Sequence, residues 1–325
     1  MKKIITIIIV LSCIIGCGIW MFHSSPTTFF ELSGYNLADS KFFGDSIISS
    51  NDGHLIFFDK KGNVIKEYND VFVNWIYAIP EEGLIIAGNS NYELRKIVVD
   101  ADYQIISNDI LFESNNLMID PTIMKTKSGK WILSYVEVQG AVNNADINSE
   151  NGLYTVHVYE SNDLIEWRQM GDIVSENNNI EDGDMFESDG KIYYLYEKET
   201  FDKMPSEICM KCSEDECRSW SEERIVIPAD GDNEMAGVFV NKNKINLYYS
   251  SDLNNPGMSY NGAVIYKAQY DIDFYNEKIN MPINISENGG ILLYDIYVKG
   301  NRLYFLYSRN YLTENTLVYG VREYD

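Results

Sequence analysis

The sequence has few of the residues that nucleic-acid-binding or disordered proteins need. Lysine and arginine number 26 against 49 aspartates and glutamates, the formal net charge is −23, and the basic residues form no cluster. Binding of DNA or RNA requires clustered Lys and Arg that neutralise phosphates, so we expect no nucleic-acid partner. Proline is limited to seven residues and no low-complexity tract occurs, which argues against disorder.

Cysteine and histidine are also scarce, with five and three residues. Three of the cysteines lie close together in "CMKCSEDEC", namely Cys209, Cys212 and Cys217. In an exported protein such a cluster forms one disulfide and leaves one thiol free, or else it consists of buried thiols. A zinc site would need a fourth ligand, and all three histidines are distant in sequence, so we expect no metal and no cofactor.

Charge is absent from one long stretch, residues 4–22, which follows Lys2 and Lys3. This pattern predicts an export signal or a membrane anchor at residues 1–22. The run is close to the roughly 20 residues that span a bilayer. Alternatively, "IIGC" ending at Cys17 resembles a bacterial lipobox, which would make the chain a lipoprotein. Both versions place residues 23–325, predicted to be a single domain, outside the cytoplasm.

What the sequence has in abundance is aromatic residues, 24 Tyr and 14 Phe among them, which favours strands. No segment after residue 22 shows a sustained helical period. A hairpin pattern recurs instead: an apolar strand, a tight turn with Gly or Asn, and a second alternating strand. The copies are "DSIISSNDGHLIFFD" from Asp45, "NWIYAIPEEGLIIAG" from Asn74, "DPTIMKTKSGKWILSYVE" from Asp120, "EDGDMFESDGKIYYLYE" from Glu181, "EMAGVFVNKNKINLYYS" from Glu234, and "LYDIYVKGNRLYFLYS", which contains Asp295.

Repeated four-stranded units predict an all-β fold, a β-propeller with six blades, or five if the first copies form fewer sheets. The last unit is one strand short. The segment "TTFFELSGY" near the N-terminus is expected to complete it and close the ring. A β-sandwich is the competing fold, but it would not explain the repeat.

Two loop motifs share the form Ser-x-Asp followed by Trp: "SNDLIEW" from Ser161 and "SEDECRSW" from Ser213. We expect the Ser and Asp side chains to cap backbone N–H groups of a tight turn. The tryptophan would then pack over the turn between sheets. These motifs are therefore expected to be structural.

The same motifs carry a family resemblance. "ESNDLIEWRQMG" resembles a turn common in five-bladed furanosidase propellers such as family 43 and family 32 glycoside hydrolases, and "SEDECRSW" resembles the Asp-box of sialidase-type propellers. "IDP" at residues 119–121, "EDGDMFESDGKIYYLY" and "EMAGVFVNKNKINLYYS" are similar to the acidic inner strands of family 43 enzymes. The resemblance covers residues 118–250.

The resemblance implies three catalytic carboxylates: Asp120 as general base, Asp182 (or Asp184) as the residue that tunes pKa and position, and Glu234 as general acid. In those families the base lies in the first blade, where Asp45 stands in this chain. Pro121 is expected to hold Asp120 in an extended strand start. Acids at matching strand starts would face one another across the central channel of a propeller.

Two functions follow as hypotheses. The first is a membrane-anchored propeller that hydrolyses or binds a glycan or cell-surface polysaccharide through these carboxylates. The second is a non-catalytic propeller that binds a protein or polysaccharide. The aromatic residues Trp75, Trp131, Tyr193, Tyr248 and Tyr294 are able to stack on sugars, but most are expected in the core. His157 is expected to be a packing residue with its hydrogen bonds satisfied.

Overall fold

The structure, a computed structural model, describes residues 27–140, 152–200, 204–241, 244–271, 277–283, 289–311 and 313–323. The predicted signal or anchor at residues 1–22, including Cys17, lies outside the described residues. Within these ranges, no helix combines the length and the apolar composition that crossing a membrane requires.

The described chain forms six antiparallel sheets of four strands each, called blades 1 to 6 here. Blade 1 contains β2 to β5: Leu37–Phe43, Ser46–Asn51, His54–Asp59 and Val64–Phe72. Blade 2 contains β6 to β9: Trp75–Ile79, Leu84–Asn89, Glu93–Val99 and Ile105–Glu113. Blade 3 contains β10 to β13: Leu117–Lys125, Trp131–Gln139, Leu153–Ser161 and Arg168–Glu176.

The second half of the ring repeats this arrangement. Blade 4 contains β14 to β17: Asn179–Ser188, Lys191–Glu199, Glu207–Ser213 and Arg224–Ile227. Blade 5 contains β18 to β21: Asn233–Asn241, Lys244–Ser251, Val264–Asp271 and Glu277–Pro282. Blade 6 contains β22 to β24 and β1: Ile291–Lys299, Arg302–Arg309, Thr316–Glu323 and Thr27–Leu32. Two short 3₁₀ helices, Pro80–Glu82 and Ser259–Asn261, lie in connecting loops.

The blades are arranged as a closed ring. The first strand of each blade contacts the first strand of the next, through β2, β6, β10, β14, β18 and β22, and β22 contacts β2 again. Strand β1 pairs antiparallel with β24 as the outermost strand of blade 6. The six-bladed propeller and its closure by "TTFFEL" are therefore confirmed, and the five-bladed and β-sandwich alternatives are wrong.

The core consists of six apolar clusters, one between each pair of neighbouring blades. Because each blade is covered on both faces, its central strands bury side chains on both sides. In β15, for example, Tyr194 and Tyr196 pack towards blade 3, while Tyr193 and Leu195 pack towards blade 5. This two-sided burial explains the dense aromatic runs in the sequence.

The predicted hairpin turns have the positive φ values that tight turns between strands require. In the β14–β15 turn, Asp189 and Gly190 have φ values of 50° and 76°. The turn between β3 and β4 has φ values of 49° and 78° at Asp52 and Gly53. Two consecutive residues with positive φ match the twist of the flanking strands, which is why Asp-Gly pairs occur here.

The repeat copy that starts at Asp45 is one strand out of phase. Its two segments form β3 and β4, the second and third strands of blade 1. The inner strand is β2, "LADSKFF", whose apolar pattern is interrupted by Asp39 and Lys41 because both side chains line the central cavity. Inner strands of a propeller that face a polar cavity lose the alternation that marks ordinary strands.

Both Ser-x-Asp motifs form the predicted capped turns, at the same place in blades 3 and 4. The Ser161 Oγ accepts hydrogen bonds from the N–H groups of residues 163 and 164, and the Asp163 Oδ1 accepts from those of residues 165 and 166. Ser213 and Asp215 make equivalent bonds. The tryptophans that end the motifs pack into blade interfaces: Trp167 and Trp220. The structural role of the motifs is confirmed.

The disulfide alternative for the cysteine cluster is wrong, because Cys209, Cys212 and Cys217 are all free thiols. Cys209 and Cys212 lie three residues apart on β16, so their side chains point to opposite faces of the sheet. Cys209 and Cys217 are buried, and burial is the largest cause that raises the pKa of each thiol to about 12. These thiols are inert core residues.

Candidate active site in the central cavity

The inner strands surround an open cavity of about 1010 Å³ on the propeller axis. Among the described residues that line it, Lys41 is the single basic one, and seven are acidic. The acidic ones are Asp39, Asp120, Glu181, Asp182, Asp184, Glu234 and Asp295. The cavity is therefore polar and strongly negative, and apolar side chains do not plug it.

Asp120 and Asp182 reach the cavity through the same backbone device in blades 3 and 4. The pairing register shifts between Ile119 and Thr122 in β10, and between Glu181 and Asp184 in β14. Asp120 and Asp182 lie in these bulges with φ values of 45° and 53°. Bulges redirect side chains, and Asp tolerates positive φ better than most residues. Backbone of this kind is concentrated at functional sites.

The three carboxylates predicted as catalytic lie close together. The backbone N–H of Asp182 donates a hydrogen bond to the Asp120 Oδ2 at 3.2 Å. One carboxylate oxygen from each of Asp182, Glu234 and Glu197 lies within 4.8 Å of the other two. Asp182 and Glu234 are half-buried in the cavity wall, whereas Glu197 is buried behind them. Side chains from blades 3, 4 and 5 thus converge on one spot.

This crowding raises the proton affinity of the carboxyls. Burial, followed by the negative charge of Glu181, raises the pKa of Asp182 to about 7. Burial and the charge of Asp182 hold the pKa of Glu234 well above its usual range, and the same two causes raise the pKa of Asp120. Carboxylates at this spacing cannot all ionise together, so the cluster retains protons at neutral pH.

Lys41 supplies the positive charge of the cavity. Its Nζ lies 3.3 Å from the Asp39 Oδ1 and donates a hydrogen bond to the Tyr294 carbonyl oxygen at 2.9 Å. Burial would lower the pKa of Lys41, but the charges of Asp39, Asp295 and Asp182 outweigh it and raise that pKa above its usual range. Its charge in turn lowers the pKa of Asp182 and Asp120, opposing the larger upward effect of burial.

Three other acids of the cavity connect neighbouring blades. The Asp39 Oδ2 accepts a hydrogen bond from the Ile76 N–H at 2.7 Å, the Asp184 Oδ2 from the Val238 N–H at 3.1 Å, and the Asp295 Oδ2 from the Phe42 N–H at 2.7 Å. Each bond joins the inner strand of one blade to that of the next. These aspartates therefore have a structural role that the sequence did not predict.

The carboxyls of Asp182 and Asp184 have different surroundings in the cavity. Both carboxylate oxygens of Asp184 accept hydrogen bonds. Besides the bond to its Oδ2, its Oδ1 accepts from the Met185 N–H and the Tyr77 hydroxyl at 2.8 and 3.2 Å. Asp182 instead faces Glu234 and Glu197. Asp182 is thus the one of the two whose carboxyl lies next to other carboxyls of the cluster.

Two details of the sequence interpretation are wrong. Asp45 does not face the cavity: its side chain is 85% exposed and pairs with Lys60 in a turn. Asp39 is the acidic residue of the first blade that lines the cavity. Asp120 is not extended before Pro121, because the bulge places it at a φ of 45°.

Sequence reasoning also missed Lys41, Tyr77 and Glu197. Lys41 and Tyr77 gave no usable signal, since a single Lys or Tyr in a short strand is usually ordinary surface or core. Glu197 did leave one, because it stands in "KIYYLYEKE" where the alternation of a buried strand calls for an apolar residue.

The aromatic candidates divide as expected. Trp131, Tyr193 and Tyr248 are buried in blade interfaces. Trp75 lines the cavity and is partly exposed, whereas Tyr294 borders the cavity but is buried in the interface of blades 6 and 1. The predicted packing role of His157 is confirmed, because its Nδ1 and Nε2 lie 2.7 and 3.3 Å from carboxylate oxygens of Asp172 and Glu137.

Comparison with solved structures gives the fold a context. An α-L-arabinanase from Penicillium chrysogenum, solved with arabinobiose, superposes with a TM-score of 0.62 over 92% of this chain and 98% of that one, at 13% identity. A thermostable family 43 glycoside hydrolase superposes with a TM-score of 0.51 over 79% of this chain and 97% of that one, at 13% identity. A family 43 β-1,3-galactosidase, solved with galactodeoxynojirimycin, superposes with a TM-score of 0.50 over 82% of this chain and 92% of that one, at 12% identity.

The chain has the fold of glycoside hydrolase propellers. No protein-family profile matches the sequence, and no curated protein does. At these identities the likeness establishes the fold, and the chemistry has to be argued from the cavity itself.

Proposed function

We propose that this protein hydrolyses glycosidic bonds in its central cavity. The observation that carries the proposal is the convergence of Asp120, Asp182 and Glu234, from three successive blades, on one open and water-accessible cavity. A hydrolase of this kind needs one carboxyl that keeps a proton and another that activates water. The raised pKa of Glu234 supports the first role.

Glu234 acts as the general acid. Asp120 acts as the general base in its ionised form, which the hydrogen bond from the Asp182 N–H and the charge of Lys41 both favour against the effect of burial. Asp120 takes a proton from water, the water oxygen bonds to the anomeric carbon, the glycosidic C–O bond breaks, and the proton of Glu234 passes to the leaving oxygen. One oxygen of Asp182 lies within 4.8 Å of an oxygen of Glu234, closer than the roughly 6.5–9.5 Å between the acid and the base of inverting enzymes, so Asp120 is the better candidate base. Asp182 instead helps to keep Glu234 protonated.

The residues that line the cavity favour this function over a non-catalytic binding module. A binding propeller has no need to cluster half-buried carboxyls whose mutual repulsion is costly. Trp75, which is partly exposed in the wall, offers a face on which a sugar ring can stack.

A glycan is the proposed partner. The arabinanase and the galactosidase of similar fold were solved with arabinobiose and galactodeoxynojirimycin, which suits a sugar in the equivalent cavity here. We further propose that the propeller works outside the cytoplasm, tethered through residues 1–22, either by a single helix or by a lipid at Cys17. Fractionation of cells that express the full chain, alongside a Cys17→Ala variant, tests this location.

Release of reducing sugar from a panel of arabinans, galactans, xylans and mannans tests the activity. The wild-type protein is expected to release sugar from at least one glycan. The Glu234→Gln variant should be slower by about 10²–10⁴-fold, because it has lost the general acid. Glu166→Gln, in an exposed turn of blade 3, is the matched control and should behave as wild type. No release from any glycan, or full activity of Glu234→Gln, would refute the proposal.

A further inference from the structure

Blade 4 contains glutamates where its strand pattern calls for core residues. On β15, Tyr193 and Leu195 pack into the apolar cluster between blades 4 and 5. Side chains alternate along a strand, so positions 197 and 199 face the same interface. Both are glutamates, Glu197 and Glu199. Departures from a fold's own pattern are expected where function requires them.

Glu197 is the more unusual of the two. Its side chain is 2% exposed, and its Oε2 has no hydrogen-bond partner among the described residues. It lies directly opposite Glu181 across the β14–β15 pair, immediately behind the bulge that carries Asp182. A buried carboxyl oxygen without a partner is costly to retain, because its desolvation is not offset by a hydrogen bond. Packing alone therefore does not explain Glu197.

Glu197 joins two groups of carboxyls. On the cavity side, its oxygen lies within 4.8 Å of oxygens of Asp182 and Glu234. On the inner side, it lies within the same distance of Glu199 and Asp232. The inner pair is held in place: Asn179 donates to Glu199 at 2.9 Å, and Ser259 donates to Asp232 at 2.5 Å. Glu197 is the member that the two groups share.

Resting on the proposed function, we propose that Glu197 is a positioning residue that keeps the transferable proton on Glu234. Whenever the cluster loses protons, a third carboxyl behind the catalytic pair adds another negative charge that little water can screen. Ionisation of Glu234 is then unfavourable, so the acid is ready at neutral pH. Glu197 does not contact the substrate in this scheme, because it lies behind the cavity wall.

Glu197 and Glu234 are electrostatically coupled, and the coupling is seen in the pKa of Glu197. Burial, and then the charge of Glu234, hold the pKa of Glu197 well above its usual range, and Glu199, Asp182 and Asp232 act in the same direction. From β14, Glu181 faces the cluster as well and raises the pKa of both Asp182 and Glu234. The opposing charge is that of Lys41, which acts on Asp182 from blade 1.

The test uses the full chain and two variants, Glu197→Gln and Glu197→Met. Both remove the charge at nearly constant volume, and the methionine restores the apolar pattern of β15. The first readout is the pH profile of kcat/KM for the glycan that the wild type cleaves. We expect its basic limb to move to lower pH by about one unit or more in both variants, as for strongly coupled carboxyls. Glu166→Gln should leave the profile unchanged.

The second readout needs no substrate. A group whose pKa is raised in the folded state stabilises the protein below its unfolded pKa, and that stability is lost as pH rises through the folded value. The Tm of both variants should therefore gain on that of the wild type between pH 5 and pH 8, by about 2 °C or more. A Tm difference that is the same at every pH, or an unmoved basic limb, would overturn the role of Glu197. If the wild type cleaves no glycan, the proposed function fails, and the Tm difference alone decides whether Glu197 holds the cluster's protons.

Discussion

Asp182 shows at the scale of one residue how the cavity uses its acids. It lies in a strand bulge with a φ of 53°, and its N–H holds the carboxylate of Asp120 while its own carboxyl faces Glu234. A single residue thus joins the proposed base and the proposed acid. Its pKa of about 7 means that its charge changes in the pH range where the protein would work.

The first prediction concerns the Asp182→Asn variant. Burial and the charge of Glu181 raise the Asp182 pKa from 3.8 to about 7. The stabilising effect of its bound proton is complete below pH 3.8 and is lost as pH rises through 7. The asparagine amide would mimic the neutral carboxyl at every pH, so the Tm of the variant should gain on that of the wild type between pH 4 and pH 8.

Asp189→Asn is the control for this measurement. Asp189 is an exposed turn residue of the same β14–β15 hairpin, and an Asn-Gly pair suits that turn equally well. Its Tm should follow the wild type at each pH. If the Tm of Asp182→Asn and of the wild type changed in parallel with pH, the raised pKa of Asp182 would be contradicted.

At the scale of the strand, the bulges of β10 and β14 are what place the acids. Gly183 completes the bulge of β14, and a Cβ added there would lie 1.9 Å from the Tyr194 hydroxyl oxygen. That tyrosine is fully buried, so it has no free space into which to move. The sequence therefore requires glycine after Asp182 for steric reasons, independently of its φ.

The second prediction is that Gly183→Ala destabilises the protein by about 1–3 kcal/mol, the usual cost of overpacking a core. It should also lower activity, because the bulge holds Asp182. Gly237→Ala is the control, a glycine that directly follows the bulge of the inner strand β18, where a Cβ would meet its nearest atom at 3.7 Å. Urea unfolding compares the two variants, and equal stabilities would show that the Tyr194 contact does not constrain the bulge.

Strands were easier to predict than the site they carry. Alternating strands and tight turns with Gly or Asn indicated the hairpins of blades 3 to 6, because these signals depend on neighbours in sequence. Strand β2 was misplaced, since Asp39 and Lys41 break its apolar pattern to face the cavity. Asp120, Asp182 and Glu234 were found through their family resemblance. Glu197 left a local signal, an acid at an apolar position of β15, but its contacts with Asp182 and Glu234 depend on the packing of neighbouring blades.

At the scale of the whole molecule, the closed ring places the first strand of every blade around one shared cavity. Closure of blade 6 by β1 fixes the six inner strands around one axis. The aspartate bonds from one inner strand to the next, made by Asp39, Asp184 and Asp295, stiffen this wall. Acids from separate blades, distant in the chain, thereby meet within a few ångströms.

One measurement tests the proposed chemistry most directly: the hydrolysis rates of Glu234→Gln on two glycosides of the same sugar, one with a natural sugar leaving group and one with an activated aryl group. A good leaving group needs no proton. The variant should therefore lose about 10²–10⁴-fold on the natural glycoside but keep most of its rate on the aryl glycoside. Equal losses on both substrates, or no loss on either, would contradict the role of Glu234 as the acid of this cavity.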